Sequence, residues 1–538
     1  MISLSLFSSI ALSFASPQKA DLPPLMTGIG TYHRTVHTAN QQAQKYFDQG
    51  MSLFYAFHKA TSTKFFIAAQ KLDPKCAMAY WGEALSYAPD INFTSVDEGA
   101  AKNALAALEK AKPLARPGIE SDLIDAGLAR YNGTDRASLD SAYREKMKVL
   151  ASKYSKDADV VSLYAESILI LSPWNQWTFD GKAKPGTEEA MAVLRHALKL
   201  SPKHLMANHL WIHTVEGGPR PEEAIPSSDL LSKIAPNLGH LVHMPSHIYV
   251  RTGRWNDAIV QNRKAIITDR NFAAKRGLQP TYLPYMGHNR MMMAFAGTMN
   301  GSYASAQWAF SDWKTLIPES MLKEMAVYLD SLMAMPLDVE KRFGHWDKIL
   351  AAPEPAEYLP ISRTTWHADR AVAFAATHRL DEAKKELEAF VEQRKKVNPE
   401  GPFGNNVAGK VLDVYEHLTI GEIKVQEGDM EEGIAELKKA VEIEDQLRYN
   451  EPPDWLQPCR HTLGAAYLKA NKPIEAILVY KRDLQITREN GWSTLGIAKA
   501  YQQLGDAKNA SKWMRRYHRI WAEDGEKVTS SCMCLPGK

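Results

Sequence analysis

The chain has 538 residues, with 65 Lys and Arg against 62 Asp and Glu, a formal net charge of only +3. That length is more than one compact core serves, so several domains or an array are expected. Balanced charge without a strong basic block speaks against nucleic acid or an acidic membrane as partner, and the 45% hydrophobic and 24% charged shares are those of a folded, soluble chain.

The opening run MISLSLFSSIALSFAS is apolar and rich in small residues, and Ser13-Phe14-Ala15 resembles a cleavage site. Residues 1–16 are therefore expected to be a signal peptide, although no Lys or Arg stands at its front, and the mature chain to be exported, periplasmic or extracellular. No later stretch approaches the roughly 18 apolar residues of a membrane span. Residues 17–40 form an N-terminal arm. Its His33 and His37 are spaced by four in a Gly- and Thr-rich setting, which suits a solvated arm better than a lid on a groove.

From residue 41 onward, apolar runs with helical spacing are broken by Gly, Pro and Asn, so helices joined by short turns are expected. One order of residues recurs. It reads Gly50, Phe66, Ala69, Pro74; then Ala190, Leu194, Ala197, Pro202. It returns as Gly421, Leu437, Ala440; as Gly464, Tyr467, Ala476, Tyr480; and as Ala498, Tyr501, Ala510, Met514. Small residues allow close approach of two helices, aromatics fill the seams, and proline ends the second helix.

This grammar resembles the tetratricopeptide repeat. The resemblance implies an all-α, right-handed superhelix of antiparallel helix pairs whose first helices line a concave groove. It divides the chain into pairs with an insertion at 41–186, His-rich repeats at 187–310, irregular pairs at 311–400, regular repeats at 401–520 and a flexible tail at 521–538. Phrases such as "CAMAYWGEAL", "NHLWIHTVE" and "HLVHMPSHIYVRTGRW" further resemble large exported bacterial repeat proteins, a resemblance that implies no settled activity. The match is weakest around 95–185 and 311–365. In the first of these, Trp174 and Trp177 are expected to close a core between irregular repeats rather than to wall the groove.

The histidines carry the chemistry. His209 and His213 recur 34 residues later, one repeat length, as His243 and His247, and Ala224 and Ala258 keep the same register. At about 100° per residue, His209, His213 and Glu216 share an arc of about 60°, and His240, His243 and His247 share a similar one. His288 falls on the corresponding face of the next repeat. By the resemblance, that face looks outward into the groove, with neighbouring helices about 10 Å apart.

Three readings compete. Packing histidines satisfied by backbone would explain one such residue better than six, since clustered imidazoles lower one another's pKa values and add little to a fold. A groove that binds an acidic or C-terminal protein segment is the second reading, with Arg251, Tyr249, Tyr285, Arg290 and Met291 as its lining. Histidine is a poor source of charge near neutral pH. The third is a transition-metal site with His209, His213, His243 and His247 as ligands and Glu216, His240 and His288 as further ligands or supports. Imidazole suits zinc, copper, iron and nickel; export and the nearby Met286, Met291, Met292 and Met293 favour copper, with zinc or iron as alternatives. No H-E-x-x-H or G-x-S-x-G occurs, so the sequence names no catalytic residue and any reaction would rest on the metal. His367, His417 and His461 stand singly and are expected in packing or groove positions. Four cysteines are too few for a disulfide scaffold, and Cys532 and Cys534, one residue apart, are expected to be badly placed to bond to each other.

Overall fold

The computed structural model describes residues 22–535, so the expected signal peptide lies outside the described residues. Helices succeed one another from Gln41–Tyr55 to Ala507–Ile520, and the only strands among the described residues are the short antiparallel pair Pro402–Phe403 and Asn406–Val407. The architecture is the expected all-α solenoid of antiparallel pairs: Gln41–Tyr55 with Lys59–Leu72, Pro360–Ala376 with Leu380–Arg394, Ala408–Glu427 with Met430–Glu444. No described helix is long and apolar enough to cross a membrane.

The C-terminal pairs show why this sequence stacks. Tyr480, on helix Pro473–Ile486, sits between Gly464 of Cys459–Lys469 and Gly496 of Gly491–Gln503. A Cβ at Gly464 or Gly496 would come within 2.3 or 2.4 Å of the ring. Hydrogen in both places lets the phenol fill the seam between consecutive pairs at interior packing density. Aspartates start the helices that follow tight turns: Asp429 accepts from the Glu432 N–H and Asp506 from the Asn509 N–H, satisfying donors that the first turn leaves free.

Three expectations need correction. The stretch expected as one His-bearing helix is divided by Pro245 into Gly239–His243 and Pro245–Arg251. Proline lacks the N–H that would continue the ladder, but Met244 keeps helical angles (φ −47°, ψ −39°), so His243 and His247 stay on one face. The tail, expected to be flexible, is packed as far as it is described. Ala522 N–H donates to Asn300 O at 2.8 Å, the Arg342 guanidinium to Ser531 O at 3.1 Å and Gln426 Nε2 to Cys534 O at 2.7 Å. Ser530, Ser531, Cys532, Cys534 and Leu535 are buried there. Cys532 and Cys534 are bonded to each other after all. A turn in which Leu535 N–H returns to Cys532 O brings their Cα atoms to 5.3 Å, within disulfide range.

Candidate metal centre

Three successive first helices supply the site. Leu205–Val215 carries His209 and His213, with Glu216 just past its end; the divided helix carries His240, His243 and His247; Leu283–Asn300 carries His288. A spacing of four puts each His pair on one helix face, and the repeat register sets the faces against each other. Ring centroids are 5.0 Å apart for His209–His213, 4.8 Å for His209–His240, 5.2 Å for His213–His247 and 4.7 Å for both His243–His247 and His243–His288.

The expectation that these side chains look into an open groove is overturned. His209, His243 and Glu216 have no exposed surface, and His240 and His247 are 1% exposed. Segments distant in sequence close over them. Phe57 packs on His209 and His240, Tyr285 stands edge-on to His240, and Trp174 stands edge-on to His213. Trp177 donates to Thr214 O at 2.8 Å. Trp174 thus walls the histidine cluster, while Trp177 packs on Gly217 and Gly218 beside it. From the far end of the chain, the Tyr449 hydroxyl reaches to 3.5 Å from Glu216 Oε2.

The hydrogen bonds fix the tautomers. His209 Nδ1 lies 2.8 Å from Tyr55 O, His213 Nδ1 2.7 Å from Glu216 Oε1 and His247 Nδ1 2.5 Å from Glu216 Oε2. His243 Nδ1 is 2.6 Å from Asn262 Oδ1, and that amide's orientation is fixed because Asn262 Nδ2 donates to Ala258 O. The partners of His209, His213 and His243 only accept, so those three Nδ1 atoms carry the proton; the His247 Nδ1 contact with Glu216 is an ion-pair distance without hydrogen-bond geometry. In the neutral imidazole the lone pair then sits on Nε2. The Nε2 atoms converge: His243 Nε2 is 2.9 Å from His247 Nε2, and His213 Nε2 has no partner at all. His240 and His288 approach from the sides, with Nε2 atoms 3.0 Å from His209 Nε2 and 3.3 Å from His247 Nε2. Donor atoms fall into two triads, His209/His213/His240 and His243/His247/His288, each within 4.8 Å.

Charge follows the same pattern. Burial holds the imidazoles of His209, His240 and His243 far below the usual histidine range, neighbouring histidines add to the effect, and His288 is lowered to about 3. Burial by itself would raise Glu216, but His247 and His213 outweigh it and hold the carboxyl at about 2. His209, His240, His243 and His288 are thus neutral imidazoles beside one buried carboxylate.

Of the expected groove residues, Tyr285 lies against the cluster. Arg251 caps it from outside, donating to Glu216 O and Ile486 O. Tyr249, Arg290 and Met291 do not belong to it. Tyr249 turns away to Asp229, Arg290 is buried against Met286 O and Asp312, and Met291 is core. His33 pairs with Asp48 and His37 with Arg116, away from the site, whereas His461 is buried between Arg342 and Asp483. Sequence reasoning missed Tyr55, Asn262, Tyr449 and Glu451. Asn262 carried a faint signal, a polar residue in the mostly apolar inner stripe of Trp255–Arg276; the other three carried none.

Residues 417–446 match the sequence profile described as tetratricopeptide repeat. That segment of the chain carries a tetratricopeptide repeat. Among solved structures, this repeat protein is similar to the human IFIT1 dimer with m7Gppp-AAAA, at 14% identity over 90% of this chain and 91% of that one, TM-score 0.34. It is similar to the APC/C hetero-tetramer Cut9-Hcn1 at 12% identity over 90% and 76%, TM-score 0.29. A putative kinesin light chain of Podosopora anserina with nearly identical TPR-like repeats is matched at 17% identity over 44% and 95%, TM-score 0.24. No curated protein matches the chain in sequence.

Proposed function

We propose that this repeat protein binds transition-metal ions in the buried histidine chamber, one at each imidazole triad, and that metal binding is the chamber's purpose. The observation that carries this reading is the convergence of six buried imidazoles on two triads, with the Nδ1 atoms of His209, His213 and His243 committed as donors to oxygen. Metal-bound histidines are held in that way by carbonyl and carboxylate partners. Two nitrogens bound to one ion at about 2.0–2.1 Å with tetrahedral angles stand about 3.3 Å apart, close to the 2.9–3.3 Å between these Nε2 atoms. Without a cation, His213 Nε2 is buried unpaired, a cost of about 1–3 kcal/mol.

Glu216 serves as holder, because its two oxygens are taken by His213 and His247, one from each triad. Copper is the first choice, since it heads the affinity order for nitrogen ligands among divalent ions; zinc and iron fit the same donors. The methionines no longer favour it, being core residues. Three protein ligands leave a position open on each ion, the arrangement of reactive metal sites. The Cys532–Cys534 disulfide supports an oxidising compartment.

Elemental analysis of the untagged chain, beside the His213→Ala/His247→Ala double variant, tests the reading. Near two equivalents of metal in the parent and a large loss in the variant are expected. Parent protein that stays metal-free after incubation with copper, zinc and iron would refute it.

A second reading rests on a cleft of about 1270 Å³ beyond Tyr449 and Glu451, lined also by Trp177, Arg251, Trp455 and Arg488. It is roomy enough for a peptide segment. Binding there would not respond to chelator, which separates the two functions.

A further inference from the structure

A second group of ligand-type atoms lies far along the solenoid, where the docked tail meets the first helices of the C-terminal pairs. Cys532 and Cys534 are buried there, with Cys532 Sγ 3.9 Å from Glu422 Oε1. Donor atoms of these three residues lie within 4.8 Å of one another. Glu422 is 4% exposed; Thr462 Oγ1 donates to its Oε1 at 3.3 Å, while its Oε2 has no partner. A disulfide needs no carboxylate beside it, and an unpaired buried carboxylate oxygen is costly. Burial accordingly raises the Glu422 carboxyl to about 7, against the pull of Lys341. A buried, unpaired carboxylate oxygen beside two sulfurs is a ready ligand for a cation.

We propose that Cys532, Cys534 and Glu422 form a second metal site, for a soft thiophilic ion, that exists only when the Cys532–Cys534 disulfide is reduced. The geometry suits one ion. Bonds of about 2.3 Å to sulfur and about 2.1 Å to oxygen at a tetrahedral angle place the two donors about 3.6 Å apart, near the 3.9 Å seen. Cα atoms 5.3 Å apart let both sulfurs reach the same point. Gln457 Nε2, 3.1 Å from Cys532 Sγ, would donate to a thiolate there. The chemistry balances with a dithiol as reductant. It delivers two electrons and two protons, the Cys532–Cys534 bond breaks to two thiols, and the dithiol closes to its cyclic disulfide. A divalent ion then binds two thiolates and the Glu422 carboxylate, releasing to solvent the two thiol protons and the Glu422 proton wherever that carboxyl is protonated. The site is independent of the histidine chamber.

Cadmium is the probe, because thiolate–cadmium bonds give a charge-transfer absorption that imidazole does not. The full chain, stripped with chelator, is titrated with cadmium before and after reduction by dithiothreitol and anaerobic desalting. One equivalent with the thiolate band in the reduced chain, and no band in the oxidised chain, is expected. This comparison uses unmutated protein and needs no variant to fold. Cys532→Ser/Cys534→Ser should abolish the band while the buried Cys76 and Cys459 remain. Glu422→Gln, which keeps both sulfurs, should retain the band and weaken cadmium binding at least ~10-fold. The proposal is overturned if the reduced parent gives no band or if the double serine variant gives the same one. Unchanged affinity in Glu422→Gln overturns it as well.

Discussion

Glu216 is where the chamber's two halves meet. Its carboxylate accepts the Nδ1 proton of His213 from one triad and lies 2.5 Å from Nδ1 of His247 in the other. In Glu216→Gln one oxygen remains an acceptor while the other becomes an N–H₂ group, which cannot face a protonated Nδ1. One imidazole must then change tautomer and turn its lone pair out of the chamber. Affinity for one ion is expected to drop ~10- to 100-fold, the range for losing such a supporting bond, with the other ion less affected. Competition against a chromophoric chelator, read as two separate constants, checks this; equal losses at both ions would count against the division into triads. The lowered imidazole pKa values make a second prediction. Protons compete with metal for the same lone pairs, and an exposed histidine takes its proton near pH 6.5. Burial moves that competition down towards about 3 for His288 and well below the usual histidine range for His209, His240 and His243. The sign is that metal stays bound as pH falls through 6.5. Release followed by equilibrium dialysis should therefore begin below about pH 5, whereas a surface His pair lets go near neutrality.

At the scale of the element, the solenoid was legible because its grammar concerns side-chain size. Gly464 and Gly496 flank Tyr480 as the repeat pattern requires, and the structure shows the ring in contact with both. Gly496→Ala should thus overpack that seam and cost about 1–3 kcal/mol. Since a long array need not unfold in one step, the loss is best read as faster hydrogen exchange in helices Pro473–Ile486 and Gly491–Gln503, with the His chamber unaffected. The 34-residue histidine register was legible for the same reason, as a local periodicity. Proline at 245 was plain in the sequence too, but its effect was not, because Met244 carries the helical angles across the break.

Across the whole molecule, what the sequence hid was closure. Tyr55 O and Trp174 reach the histidines, and Trp177 and Tyr449 the adjoining Thr214 and Glu216, from positions up to 233 residues away from their contacts, and no periodicity encodes such meetings. An open, imidazole-lined groove was a fair expectation from three helices alone; the insertion at 170–186 and the loop near 450 turn it into a chamber. The tail was misjudged likewise, since Arg342, Gln426 and Tyr480, which hold it, lie on three separate helices. Its docking means that this solenoid already carries a peptide on its own C-terminal surface. A tethered segment presents itself at an effective concentration on the order of millimolar, so an outside peptide competing for that surface must bind far better than millimolar to evict it. The C-terminal repeats are in effect a self-occupied receptor, deaf to weak guests for as long as the tail stays seated.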